Sequence, residues 1–273
     1  MMSARFLTVV LERAFNMRDG FGREIDYMRI SVIDSCNLNC YYCNPCDNNE
    51  HCHALNILSV KEVLCIVRAA TRLGIKHFRL TGGEPLLHPQ LDEMVLQIKK
   101  IPGVSSVSLT TNAVLLAQHA KWLKEAGIDS INVSLDTIDA SEYERITKKP
   151  LLEEVKHGIN AAIECGIRVK INVVLTPQTD VVALTRYVAK KGTDIRFIEM
   201  MPVGEGHTNG VEPYKKVIGT LSKLYGEPCR INTEKTKEIN SGNDKRKIPD
   251  NGPAECYIFP ELGIRVGLIQ AIH

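Results

Sequence analysis

The sequence predicts an α/β fold, a partial (β/α)6 barrel with a parallel sheet. Three observations carry that expectation. Short β-rich runs alternate with longer helix-like stretches through six successive units, and such units build parallel sheets with right-handed crossovers. Gly74, Gly127, Gly166 and Gly192 each stand just past a helix-like stretch, where a left-handed cap favours glycine. Six units fall short of the eight that close a full barrel, which leaves one side open to a large ligand.

The elements follow in order. Met28–Ile33 is the first strand candidate, and Ser59 with Glu62 gives a capping-box start to a helix over Ser59–Leu73. His77–Leu80 and Gln90–Ile101 form the second unit, Ser105–Thr110 and Ala117–Ala126 the third, and Ser130–Leu135 and Leu151–Cys165 the fourth. Arg168–Leu175 with Val181–Lys190, then Asp194–Glu199 with Tyr214–Tyr225, complete the series. The polar stretch Asn232–Gly252 reads as a loop, and Glu255–Phe259 and Ile264–Ile269 as two last strands. The chain divides into an N-terminal extension over 1–16, a core over 17–226 and the start of an incomplete C-terminal region over 227–273.

Composition narrows the function classes. The 273 residues are 44% hydrophobic and 24% charged, an ordinary globular balance. With 34 Lys and Arg against 32 Asp and Glu, the net charge of +2 argues against a strongly basic nucleic-acid binder or an acidic tail protein. Apolar stretches such as Phe6–Leu11 and Val173–Leu175 are too short for a membrane span. The first sixteen residues do not read as a signal peptide, and a cytoplasmic location is expected.

Nine cysteines are an odd number, and five of them lie between Cys36 and Cys52. Such clustering reads as a metal site in a reducing compartment rather than a disulfide framework. Cys65 and Cys165 fall in helical patterns and read as small buried hydrophobes. Cys36-x3-Cys40-x2-Cys43 places three thiols in one short loop, leaving one coordination position unfilled. A zinc ion there would be catalytic, and a cubane iron–sulfur cluster would have one iron free for substrate or cofactor. The alternative is a structural zinc closed by Cys46 or Cys52, with His51 and His53 nearby.

Chemistry in parallel α/β barrels sits at the C-terminal strand ends. The segments found there are the cysteine cluster, Thr81-Gly82-Gly83-Glu84-Pro85, Thr110-Thr111-Asn112, Asn132 with Ser134 and Asp136, Lys170 with Asn172, and Glu199-Met200-Met201-Pro202. Gly82 and Gly83 would let the backbone approach a ligand, and Glu84 offers a carboxylate for an ammonium group.

The three-cysteine motif, with Tyr42 before its last cysteine, and the Gly82-Gly83-Glu84-Pro85 segment resemble the radical S-adenosylmethionine superfamily. Phe78–Pro85, Leu109–Asn112, Ile131–Asp136, Val169–Leu175, Arg196–Met201 and Asn251–Ala254 are similar to the GTP 3',8-cyclase family of molybdenum cofactor biosynthesis. The resemblance implies a partial barrel of the radical S-adenosylmethionine type and a [4Fe–4S] cluster on Cys36, Cys40 and Cys43. It implies S-adenosylmethionine contacts at Tyr42, Gly83, Ser134 and Met201, and GTP contacts at Arg29, Arg79, Thr110 and Lys170. The implied reaction splits S-adenosylmethionine with one electron and uses the adenosyl radical to join C3' of GTP to C8, giving 3',8-cyclo-GTP. An electron donor such as flavodoxin or ferredoxin and a downstream cyclic pyranopterin monophosphate synthase are implied partners. Neither nucleic acid nor membrane is among them, and a homodimer is a candidate state.

Some features depart from that family. Its second [4Fe–4S] cluster lies in a C-terminal part that should begin where this chain ends, at His273, and Cys229 and Cys256 do not match its ligands. Asn112-Ala113 replaces the usual Asn-Gly. Beside a cyclase with a truncated C-terminal extension stand two further readings: a single-cluster enzyme acting on another substrate such as a peptide, and an inactive truncated cyclase. With the open side uncovered, the strands over Glu255–Ile269 are expected to be exposed and prone to association.

Overall fold

The computed structural model describes residues 17–43, 56–200, 214–231 and 254–270. Nine strands form one sheet in the order β1-β2-β3-β4-β5-β6-β9-β8-β7. The strands are β1 Tyr27–Ser31, β2 His77–Thr81, β3 Ser106–Thr111, β4 Ser130–Ser134, β5 Arg168–Leu175, β6 Asp194–Glu199, β7 Cys229–Ile231, β8 Glu255–Phe259 and β9 Ile264–Ile269. β1 to β6 run parallel in chain order. β9 joins β6 in parallel, and β8 and β7 follow antiparallel.

The strands over Glu255–Ile269 are therefore paired rather than exposed, and Phe259, Ile264, Val266 and Leu268 are buried. The expectation of an uncovered pair is corrected, because β9 satisfies the free edge of β6.

The helices among the described residues are α1 Val60–Arg72, α2 Leu91–Lys99, α3 Leu116–Glu125, α4 Ala140–Thr147, α5 Leu152–Glu164, α6 Val181–Lys190 and α7 Tyr214–Tyr225. α1 starts on the expected capping box: Ser59 Oγ accepts from the Glu62 N–H while the Glu62 carboxylate accepts from the Ser59 N–H. The four glycines past helix ends all have φ between +62° and +93°. Two elements lay outside the expected set. β7 has only three residues, too few for an alternation to register. α4 has eight, and its Asp139 cap accepts from the Glu142 N–H.

The core lies between the helices and one face of the sheet. Ile30, Phe78, Leu80, Val107, Leu109, Ile131, Val133, Val169, Ile171, Val173, Ile195 and Phe197 point into it. Val63 and Val67 of α1, Met94 of α2, Leu123 of α3, Ile159 of α5 and Leu184 of α6 meet them there. Each fully buried side chain of this size contributes roughly 1.5–3 kcal/mol. α3 and α5 come close: a Cβ on Gly158 would stand 3.0 Å from Leu116 Cβ of α3 and 2.4 Å from the carbonyl oxygen of Ala113, which precedes that helix. Cys65 is exposed, correcting its reading as a buried hydrophobe, while Cys165 is half-buried and packs against the core. On α1 the buried stripe is Val60, Val63, Val67 and Ala70, and Cys65 lies off it.

Alternation puts the polar strand residues on the other face of the sheet. They fall in register rows. Arg29, Arg79 and Ser108 are successive partners, Thr110, Asn132 and Lys170 form the next row, and Ser134, Asn172, Arg196 and Gly267 the row beyond.

Candidate active site

The loop Cys36–Cys43 follows β1 and reaches over the C-terminal ends of its neighbours. Its entry is fixed by the glycine pair after β2. The Gly83 N–H donates to the Ile33 carbonyl at 2.7 Å and the Glu84 N–H to the Ser35 carbonyl at 2.7 Å. A Cβ on Gly83 would lie 2.2 Å from the Ser35 oxygen, and one on Gly82 2.2 Å from the Ile33 oxygen. The glycines thus permit a close approach of two backbone segments, one of which leads into the cysteines.

Glu84 does not present its carboxylate to a ligand. It is fully buried and accepts from the Leu86 N–H at 2.9 Å, the Thr111 hydroxyl at 2.7 Å and the Asn112 N–H at 2.7 Å. Burial pushes its carboxyl above the ordinary range while those three bonds pull it back. The expected ammonium-pairing role is replaced by one that ties the end of β2 to the end of β3. Asn112, held in that way, donates through Nδ2 to Asn37 Oδ1 at 2.7 Å and lies 3.8 Å from Cys36 Sγ.

α4 holds the middle of the loop. The N–H groups of Asn39 and Tyr41 donate to the carbonyls of Thr147 and Ile146, at 3.0 and 3.1 Å. These carbonyls belong to the last turn of the helix, where acceptors have no intrahelical partner. The Arg145 guanidinium sits over the Tyr41 ring. The Cys43 N–H closes a turn onto the Cys40 carbonyl at 3.0 Å, and between them the Tyr42 hydroxyl donates to Asp136 Oδ2. Asp136 Oδ1 accepts from the Val174 N–H of β5 at 2.7 Å.

All three loop cysteines are free thiols. Burial pushes Cys40 up to about 12, with Cys43, Asp136 and Cys36 adding to it. Burial also raises Cys36 and Cys43, and Cys43 is raised further by Asp136 and Cys36. Among the described residues no three His, Cys, Asp or Glu side chains are already gathered closely enough to hold a single metal ion, so the fit rests on the chemistry of the donors. Three such sulfurs on one loop suit a positively charged, thiophilic centre that displaces their protons, so the donor set fits an iron–sulfur cluster. Cys46, Cys52, His51 and His53 lie outside the described residues, as does Met201.

Cys40, Tyr42, Asn112, Ser134, Asp136 and Tyr143 line a cavity of ≈ 40 Å³. It brings the expected Tyr42 and Ser134 together beside a cysteine. Gly83 is exposed at the next strand end. A larger cavity of ≈ 420 Å³ lies between the C-terminal ends of α1 and α2, lined by Arg68, Arg72 and Lys100 among others. Its cations complement the helix ends, and it contains none of the expected site residues.

On the polar face, Arg29 and Arg79 are register partners at neighbouring strands. Arg79 donates through Nε to Ser108 Oγ at 3.0 Å and lies over the Tyr27 ring at 5.3 Å. Thr110 and Lys170 flank Asn132 one row nearer the cysteines. Asn132 is 2% exposed with no hydrogen-bond partner at Nδ2, and Asn172 has none at Oδ1. Arg196 lies on the same face, packed on Gly267, whose added Cβ would stand 3.3 Å from Arg196 Cγ. It was not among the expected site residues, although its alternation with Ile195 and Phe197 places it there.

A family model described as the radical SAM superfamily matches residues 30–184. A GTP 3',8-cyclase of Pelotomaculum thermopropionicum is 43% identical over 263 residues, covering 94% of this chain and 77% of the relative. GTP 3',8-cyclases of Listeria monocytogenes and Clostridium perfringens are 40% and 36% identical, each over 94% of this chain, covering 75% and 76% of the relatives. Among solved structures, Streptococcus suis SuiB bound to S-adenosylmethionine superposes with a TM-score of 0.60 at 18% identity, over 72% of this chain and 47% of that one. Methylornithine synthase (PylB) gives 0.58 at 15%, over 74% and 62%. The chain spans less than two thirds of either structure, and at these identities the likeness is one of fold.

Proposed function

The chain belongs to the radical SAM superfamily, within its GTP 3',8-cyclase family, and on that basis we propose that it cyclises GTP with the loop Cys36–Cys43 as its cluster site. The superfamily implies a [4Fe–4S] cluster and S-adenosylmethionine. Cys36, Cys40 and Cys43 are the residues that would hold the cluster, which when bound supplies the electron that cleaves S-adenosylmethionine. Electrons would come from a low-potential donor of the flavodoxin or ferredoxin class.

The single observation that carries this reading is the position of a loop with three free thiols, tied to Asn112 and to α4, beside a sheet face of cations and unmatched amides. S-adenosylmethionine would lie between the loop and the strand ends, against Tyr42, Gly83 and Ser134, with Met201 assigned by resemblance. Because the Tyr42 hydroxyl is engaged by Asp136, its contact with the cofactor runs through ring or backbone. Deeper on the face, Arg29 and Arg79 supply paired guanidinium forks for phosphate oxygens, while Lys170 and Thr110 add a cation and a hydroxyl. The free Asn132 Nδ2 and Asn172 Oδ1 can hydrogen-bond a polar substrate.

The test is anaerobic reconstitution with iron and sulfide, then incubation with reductant, S-adenosylmethionine and GTP, with mass spectrometry of the products. Formation of both 5'-deoxyadenosine and cyclised nucleotide is expected, and Cys40→Ser should abolish both. 5'-Deoxyadenosine with GTP untouched would move the substrate assignment elsewhere, to a peptide for example.

A further inference from the structure

One buried carboxylate has no part in the function above. Asp136 follows β4, is 9% exposed, and has a different partner on each oxygen: the Val174 N–H on Oδ1 and the Tyr42 hydroxyl on Oδ2. A carboxylate in such a place is costly unless its hydrogen bonds are needed. An apolar side chain would avoid that cost, so the value of Asp136 lies in the two groups it holds.

What it holds is the turn between the second and third thiols. Asn112 reaches the loop at Cys36 and Asn37, and α4 takes the N–H groups of Asn39 and Tyr41. Asp136 takes the side chain between Cys40 and Cys43. We propose that Asp136 is a positioning residue: through Tyr42 it fixes the Cys40–Cys43 turn against β4 and β5, and so sets where those two sulfurs stand for the cluster. The inference rests on the reading of this loop as the cluster site. Asn can retain the arrangement, since its oxygen accepts from Val174 while its amide donates to the Tyr42 oxygen; Ala and Leu cannot.

The experiment uses the full chain as wild type, Asp136→Ala, Asp136→Asn, Tyr42→Phe and the Ala/Phe double variant. Each is reconstituted with iron and sulfide, with circular dichroism as the control for folding. The readouts are iron retained against a chelator and the electron paramagnetic resonance signal of the reduced cluster with and without S-adenosylmethionine. Asp136→Ala and Tyr42→Phe should each lose about tenfold in iron retention, with an altered resonance signal. The double variant should lose no more than the worse single one, and Asp136→Asn should recover most of the wild-type behaviour. Should Asp136→Ala fail to fold, Tyr42→Phe, which removes one oxygen atom, decides alone. Variants that retain iron and give the wild-type signal overturn the inference while leaving the cluster site intact. A wild-type chain that takes up no cluster removes the cluster reading and this inference together.

Discussion

Replacing Glu84 by Ala tests whether the strand ends are held as described. Three donors converge on its carboxylate within 2.9 Å. Hydrogen bonds to a charged group contribute about 1.5–3 kcal/mol each, and the cost of burying the charge opposes them strongly enough to leave the carboxyl raised. Removing the carboxylate leaves three donors without their acceptor, and at about 1–3 kcal/mol for each that stays buried, with some relieved by relaxation, the net cost is about 3–5 kcal/mol. For a chain of this size that corresponds to a fall in Tm of roughly 6–20 °C. Urea unfolding followed by circular dichroism measures the change. Glu84→Gln should be intermediate, since its oxygen can still accept while its amide faces a donor. Iron uptake should fall too, because Asn112 loses the acceptor that aims it at Cys36 and Asn37. Linkage supplies a second signature. With the folded carboxyl raised above the ordinary 4.5, the folded state holds the extra proton, and this group's contribution falls as pH rises through the folded pKa. The Ala variant should lack that slope. A Glu84→Ala chain within about 1 kcal/mol of wild type would refute the argument, since surface changes alone reach about half of that.

Three other outcomes are expected. Gly83→Ala should push the Ile33–Ser35 segment away and break two backbone hydrogen bonds, costing about 2 kcal/mol and most of the iron uptake on reconstitution. Lys148→Gly should stabilise the chain by about 0.5–1 kcal/mol in urea unfolding, because the exposed Lys148 occupies φ +60° at the end of α4. Ser59→Ala should cost about 1 kcal/mol. The Glu62 carboxyl of the same capping box is held below 4.5 by Ser59. Its contribution is present above 4.5 and lost as pH falls through the folded pKa, so amide exchange at the start of α1 should quicken in acid.

The repeating units were legible because each strand and helix shows its burial period in sequence. β5 alternates through all eight residues, and α1 announces its start with Ser59 and Glu62. α4 escaped because eight residues give little more than two turns of pattern, although Asp139 followed by Glu142 was a usable start signal. The cysteine loop was legible from spacing alone. Its supports were not, because Asn112 and Asp136 stand 76 and 94 residues from their partners Cys36 and Tyr42, and local pattern carries no trace of such pairs. Glu84 was misread for the same reason. The sequence puts a carboxylate at a strand end, but only the packed sheet turns it toward Thr111 and Asn112 instead of outward.

The 94 residues between Tyr42 and Asp136 also have a consequence in time. At roughly 5–20 residues per second, a ribosome that has just made Tyr42 takes about 5–20 s to make Asp136, and α4 follows. Throughout that interval the three thiols are present in the growing chain without Asp136 or α4, two of the supports that place them. Metal delivered then would meet a floppy chelator, whereas metal delivered after β5 has paired meets a shaped one. The geometry thereby favours a cluster inserted late, once the scaffold that shapes the loop has paired.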